Sequence, residues 1–130
     1  MDEPIQDQPQ EDQQQTNAEE SSILKTIRKM IGPSASYEVF DTDLIIDINS
    51  AFSRLSQLGV GPRPPFKIHG ETETWTDFMA EDMPEEVKQY IYLKTRMIFE
   101  TPSSSIVVNA LQAQIDMLEW TLREIAAIGY

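Results

Sequence analysis

Cysteine is absent from all 130 residues. That excludes disulfides and thiolate metal sites and leaves the compartment open. Histidine occurs once, at His69. A single imidazole with no Cys and no second His cannot build a zinc site, and no nucleophile is patterned against it. Bases are scarce: ten Lys and Arg stand against 22 acids, for a formal charge of −12. The bases form no cluster, which argues against electrostatic binding to nucleic acid phosphates or to an anionic membrane surface. No apolar run approaches the roughly 20 residues of a membrane span. The N-terminus lacks the basic-then-apolar order of a secretory signal. These absences predict a protein that is intracellular and soluble when made, with no catalytic residues, no metal site and no cofactor.

The charge is unevenly spread. Residues 1–20 hold seven acids, no Lys or Arg, and only Met1 and Ile5 as large apolar side chains. Such a segment cannot bury enough apolar surface to offset its ordering entropy, so it reads as a flexible, disordered acidic tail. Residues 21–130 carry fifteen acids and ten bases, only −5, and are long enough for one modest core.

The signals in this body are helical. Ser21 or Ser22 is placed to cap a short helix, Ile23 to Ile31, which Gly32-Pro33 ends. Ile23, Leu24, Ile27, Met30 and Ile31 share one side; Lys25, Arg28 and Lys29 share the other. The helix is either simply laid across a core, or its basic face meets an acidic partner. Asp41 or Thr42 is the expected cap of a second helix. Leu44, Ile48, Ala51, Leu55 and Leu58 form its stripe, widened by Ile45 and Phe52. Asn49 and Ser50 sit mid-helix, placed to contact a neighbour. Gly59 stands where a left-handed terminal residue is wanted.

From Gly59 to Thr74 the signals are those of a loop, stiffened by Pro62, Pro64 and Pro65. Phe66-Lys67-Ile68-His69 alternates and allows a short β-strand or hairpin. A loop of about 15 residues exceeds what compact domains need and is usually functional or mobile. Trp75, Phe78 and Met79 predict one helical turn starting near Thr74. Asp82 or Met83 is then expected to cap a long helix with Pro84 in its first turn. Val87, Tyr90, Ile91, Met97 and Ile98 make its apolar face, with the Lys94 stem laid along it. Pro102 ends it. Ser103 or Ser104 opens a last helix to about Ala127, in which Val108, Leu111, Ile115, Leu118, Leu122 and Ile125 form a short heptad seam. The seam serves either an intramolecular bundle or self-association. Trp120 lies off it, as an interface anchor or a core residue. The fold class expected is all-α: a small bundle of four to five helices with a long inter-helix loop.

Other candidate sites fail on their surroundings. Gly59-Val60-Gly61 follows a helix and precedes prolines, unlike a dinucleotide loop. Asp41, Asp43 and Asp47 lack the glycine and terminal Glu of a calcium loop. Glu71, Glu73, Asp77, Glu81 and Asp82 form an acidic run, read as a solvated face or as a metal or partner site.

Several short matches, in order, resemble one family. They are Phe40-Asp41-Thr42-Asp43, Ile48-Asn49-Ser50 and Gln57-Leu58-Gly59-Val60-Gly61, then Thr74-Trp75 with Asp77-Phe78. Val87, Tyr90, Ile91, Leu93, Lys94 and Arg96 follow, then Pro102-Ser103-Ser104 and Leu118-Glu119-Trp120. The set spans about Ser22 to Ile125 and resembles the small helical head–tail connector (adaptor, head-completion) proteins of long-tailed bacteriophages. The acidic tail has no counterpart in the pattern. The resemblance implies a structural virion protein without enzyme activity, in the host cytoplasm during assembly and in the virion neck afterwards. It implies a homo-oligomeric ring of about a dozen copies with heterologous contacts, docked beneath the portal protein. A second connector, stopper or tail-completion protein would bind its other face, and DNA would pass through the lumen without sequence-specific binding. On that reading Pro62, Arg63, Pro64, Pro65, Phe66, Ile68, Trp120 and Arg123 are candidate contacts with portal or neighbour. Glu71, Glu73, Asp77, Glu81 and Asp82 are candidate channel-lining acids that repel phosphates. The competing reading is a small acidic helical regulator that binds a single phage or host protein through its seam.

Overall fold

Five α-helices carry the chain in the computed structural model, which describes residues 21–129. The tail expected over residues 1–20 lies outside them. The helices are α1 (Ile23–Ile31), α2 (Asp41–Gln57), α3 (Trp75–Phe78), α4 (Glu85–Phe99) and α5 (Ser105–Ile128). Two 3-10 turns, Pro33–Ala35 and Glu38–Phe40, join α1 to α2. The described residues contain no strand. The all-α bundle with a long loop is therefore what forms, without the strand or hairpin allowed at Phe66–His69.

Helix α4 is the centre, packing on α1, α2 and α5. Its Val87, Tyr90 and Ile91 are fully buried, against Leu44, Ile48, Phe52 and Leu55 of α2 and Leu111, Ile115 and Leu122 of α5 in one continuous core. The α5 seam thus faces its own bundle. In the last turn of α4 the expected stripe departs: Ile98 is 56% exposed, and Phe99 packs edge-on against Phe40, centroids 5.7 Å apart.

The helix starts follow local chemistry. Ser22 caps α1, its Oγ accepting from Lys25 N–H at 3.3 Å, and Ser104 caps α5. Asp41 is not a cap. The preceding 3-10 turn runs straight into α2, so Asp41 already has helical angles, where a side chain cannot fold back on the first turn. Its carboxylate instead accepts from Arg28 Nη2 at 2.7 Å. Pro84 stays extended and is itself the N-cap of α4, one residue later than expected; Asp82, with φ of 55°, turns the chain into it and caps nothing.

The basic side of α1 finds its acids within the chain. Lys25 pairs with Glu71 at 3.3 Å, and Arg28 with Asp41 and, at 3.9 Å, with Glu71. Lys29 remains exposed.

Candidate functional site

The loop between α2 and α3 is long but tied down along its length. Asn49, on α2, holds its middle: Nδ2 donates to the Ile68 carbonyl at 2.9 Å, and Oδ1 accepts from Ile68 N–H at 2.7 Å. A side-chain amide thereby does for Ile68 what a paired strand would have done, which is why Phe66–His69 needs no strand partner. The Ile68 side chain fills the core at 0% exposure. Phe66 is half-buried in a cluster with Phe52 and Phe78, at centroid distances of 5.1 and 5.6 Å.

The far end of the loop is capped and then joined to α1. The Glu73 carboxylate accepts from His69 N–H at 2.8 Å and from Gly70 N–H at 3.3 Å, with His69 Nδ1 3.2 Å away. Partial burial works to raise this carboxyl, but the backbone N–H donors outweigh it and hold it below the ordinary value. Ser22 Oγ donates to the Glu71 carbonyl at 2.8 Å, Ile23 N–H donates to the Glu73 carbonyl at 3.1 Å, and Ser22 bridges Thr74 antiparallel. Thr74 and Asp77 form a reciprocal capping box on α3, and Trp75 Nε1 donates to Thr26 Oγ1 at 3.2 Å.

These ties sort the candidate residues. Ile68 and Phe66 hold the loop from within, leaving Pro62, Arg63, Pro64 and Lys67 exposed and Pro65 half-buried. Of the acidic run, Glu71 pairs with α1, Glu73 caps loop backbone and Asp77 caps α3. Glu81 and Asp82 are exposed and make no ion pair among the described residues. Asn49→Ala removes both bonds to Ile68 and strands a part-buried N–H and carbonyl. It should cost about 2 kcal/mol and speed amide exchange at Ile68 selectively, as hydrogen exchange with mass spectrometry would read.

Across the three packed helices runs a polar cluster with no sequence signal of its own. Glu119 of α5 accepts from Arg54 of α2 through both oxygens, Nη2 to Oε1 at 3.0 Å and Nε to Oε2 at 3.3 Å. The buried Tyr90 hydroxyl of α4 donates to Oε2 at 2.6 Å. Burial pushes the Glu119 carboxyl up, but hydrogen bonds from Arg54 and Tyr90 outweigh that and hold it below its ordinary value. Tyr90 moves far upward, from burial first and the adjoining carboxylate second.

Several apolar surfaces remain open among the described residues, and two of them bear on docking. One is an aromatic groove where α2 begins and α4 ends, a cavity of about 640 Å³ lined by Tyr37, Phe40, Ile98 and Phe99 and rimmed by Asp43, Asp47 and Glu100. Burial and the neighbouring Asp43 together raise the Asp47 carboxyl. No strong pattern announces this groove: its parts come from a 3-10 turn and two helix ends. The other surface is the outer side of α5, where Trp120 is 60% exposed with Met117 and Arg123 one turn to either side.

Among the described residues no cluster of His, Cys, Asp or Glu could hold a metal ion, and no helix is long and apolar enough to cross a membrane. Fold and surfaces define a small helical protein whose open features are an aromatic groove and an exposed tryptophan face. The chain belongs to the phage connector protein family, whose sequence model matches residues 23–127, essentially the whole described body. No curated protein and no solved structure matches the chain. Family membership bears out the resemblance drawn from the short motifs and makes this a bacteriophage head–tail connector.

Proposed function

We propose that this connector is the head–tail adaptor, a purely structural ring subunit. About a dozen copies dock beneath the portal once DNA is packaged, extend the DNA channel, and offer their other face to the next neck or tail protein. The observation that carries the reading is the family match over residues 23–127, joined to two unlike open surfaces built from different helices. A ring subunit needs two different faces, because each copy meets one neighbour with one surface and the next with another. Mass spectrometry of purified virions should find the polypeptide at ring copy number, and a null phage should accumulate DNA-filled heads without tails. Its absence from virions would overturn the reading.

Within that ring, Glu81 and Asp82 are the acids of the run still open to line the lumen, where negative charge keeps DNA from adhering. Glu81→Lys with Asp82→Lys should slow DNA ejection several-fold at low salt, and less at high salt, where charges are screened. Ejection kinetics equal to wild type at both salt levels would remove these residues from the channel.

A further inference from the structure

We infer that the aromatic groove of one copy receives the exposed side of the proline-rich loop, Pro62 to Pro64 with Lys67, of a second copy. The inference rests on the ring reading above and specifies which surfaces close it. Tyr37, Phe40, Ile98 and Phe99 give the groove an apolar floor, and its volume of about 640 Å³ is that of a cleft able to take a group of small-ligand size. Asp43 and Asp47, one helical turn apart on its rim, have no cationic partner among the described residues. They await positive charge.

The loop supplies the complement. Pro62 and Pro64 stand exposed, with Arg63 between them and Lys67 beyond. Lys67 makes no ion pair among the described residues, and Arg63 makes only a 3.4 Å hydrogen bond to the Ser56 carbonyl. Proline rings are rigid apolar groups that lose little freedom on docking against aromatics, the mode by which proline-rich segments enter aromatic grooves.

Charge and distance bear on which surfaces meet. Groove against groove would bring acids together, and loop against loop would bring bases together. Groove against loop is complementary, and that contact is heterologous, the kind that propagates around a ring. The loop cannot enter the groove of its own chain. Its exposed part lies beside Ser56, roughly 20 Å along α2 from Asp43 at the ordinary helical rise, and Asn49 and Phe52 hold it there.

The chain has no cysteine, so introduced thiols report without background. Arg63→Cys and Asp43→Cys are combined in one chain, supplied to a null phage, and the purified particles are treated with oxidant or a short bis-maleimide. A ladder of covalent multimers is expected from the double variant, with single variants staying monomeric on denaturing gels. As a second readout, Asp43→Arg with Asp47→Arg should cut incorporation about tenfold, and adding Arg63→Asp with Lys67→Asp should restore it. Particles containing the double-cysteine chain at wild-type level but yielding no ladder, or single variants forming dimers, overturn this inference and leave the adaptor reading standing. Reversed charges that fail to rescue a chain still melting like wild type also overturn it. A wild-type polypeptide missing from particles overturns both.

Discussion

Gly61→Ala is expected to lower the free energy of unfolding by about 3 kcal/mol, more than most surface substitutions. Two effects add. Gly61 has a φ of +87°, in the left-handed region, where an L side chain strains the backbone. A Cβ there would also stand 2.5 Å from Phe78 Cε1 and 2.8 Å from Cζ. The Phe78 ring cannot simply retreat, because it packs on Phe52 at 4.8 Å and Phe66 at 5.6 Å. Moving it loosens the cluster that holds the loop against α2. A melting temperature lower by roughly 10–15 °C is the readout for a domain of this size. Gly70→Ala is the control: that glycine has no left-handed φ and nothing within 4 Å of an added Cβ, so a change within about 0.5 kcal/mol is expected. Phe78→Leu in the Gly61→Ala background should cost less than Phe78→Leu alone, since the smaller side chain relieves the collision. Equal costs would show that Phe78 is not what the new methyl meets.

Glu119→Ala is the other large effect, about 2–3 kcal/mol near neutral pH, because it leaves a buried tyrosine hydroxyl without its acceptor and a guanidinium without its pair. The pH dependence separates the charge from the packing. The folded chain holds the Glu119 carboxyl below the 4.5 of an unperturbed glutamate. Its contribution is therefore fully present above about pH 4.5 and is lost as pH falls through the folded value. Urea unfolding curves of wild type and variant should be well apart at pH 7 and converge in acid. At the alkaline end the sign reverses for Tyr90, whose hydroxyl is held above its ordinary 10.0 when folded. The unfolded chain loses that proton first, so this contribution fades as pH rises above about 10. Glu119→Gln keeps an acceptor for Tyr90 and should fall between the two. A stability gap constant from pH 7 to pH 3 would show that Glu119 acts by packing alone.

Both positions also mark where sequence reasoning stops. Gly61 was visible as part of a helix-terminating Gly-Val-Gly, but its collision partner is 17 residues away, on α3. Glu119 was visible only as a residue beside Trp120. Its partners lie 65 and 29 residues away, and no periodicity links α2, α4 and α5 at that level. The aromatic groove was invisible for the same reason. Tyr37 precedes and Phe40 ends a 3-10 turn, and Phe99 lies at a helix end, where apolar spacing carries no message.

The helix inventory was legible because a helix buries one side and must repeat its apolar residues every three or four positions. Leu44, Ile48, Ala51, Leu55 and Leu58 do so, and all are buried. The capping hydroxyls of Ser22 and Ser104 were legible because they act on neighbours three residues on. Where local rules failed, a neighbouring element had already met the need. The 3-10 turn feeding α2 displaced the Asp41 cap, and the Asn49 amide replaced a strand partner for Ile68. The connector family was likewise readable from short motifs, whose Ile48, Leu58, Trp75, Phe78, Val87, Tyr90 and Ile91 are buried in the core. Which side chains stay outside it could be settled only by folding. Alternation along Phe66-Lys67-Ile68-His69 separates apolar from polar side chains, but chain order does not say what Phe66 and Ile68 turn inward against while Arg63 and Lys67 turn outward. That choice belongs to α2, whose Asn49 and Phe52 seize one part of the loop and leave the other to solvent.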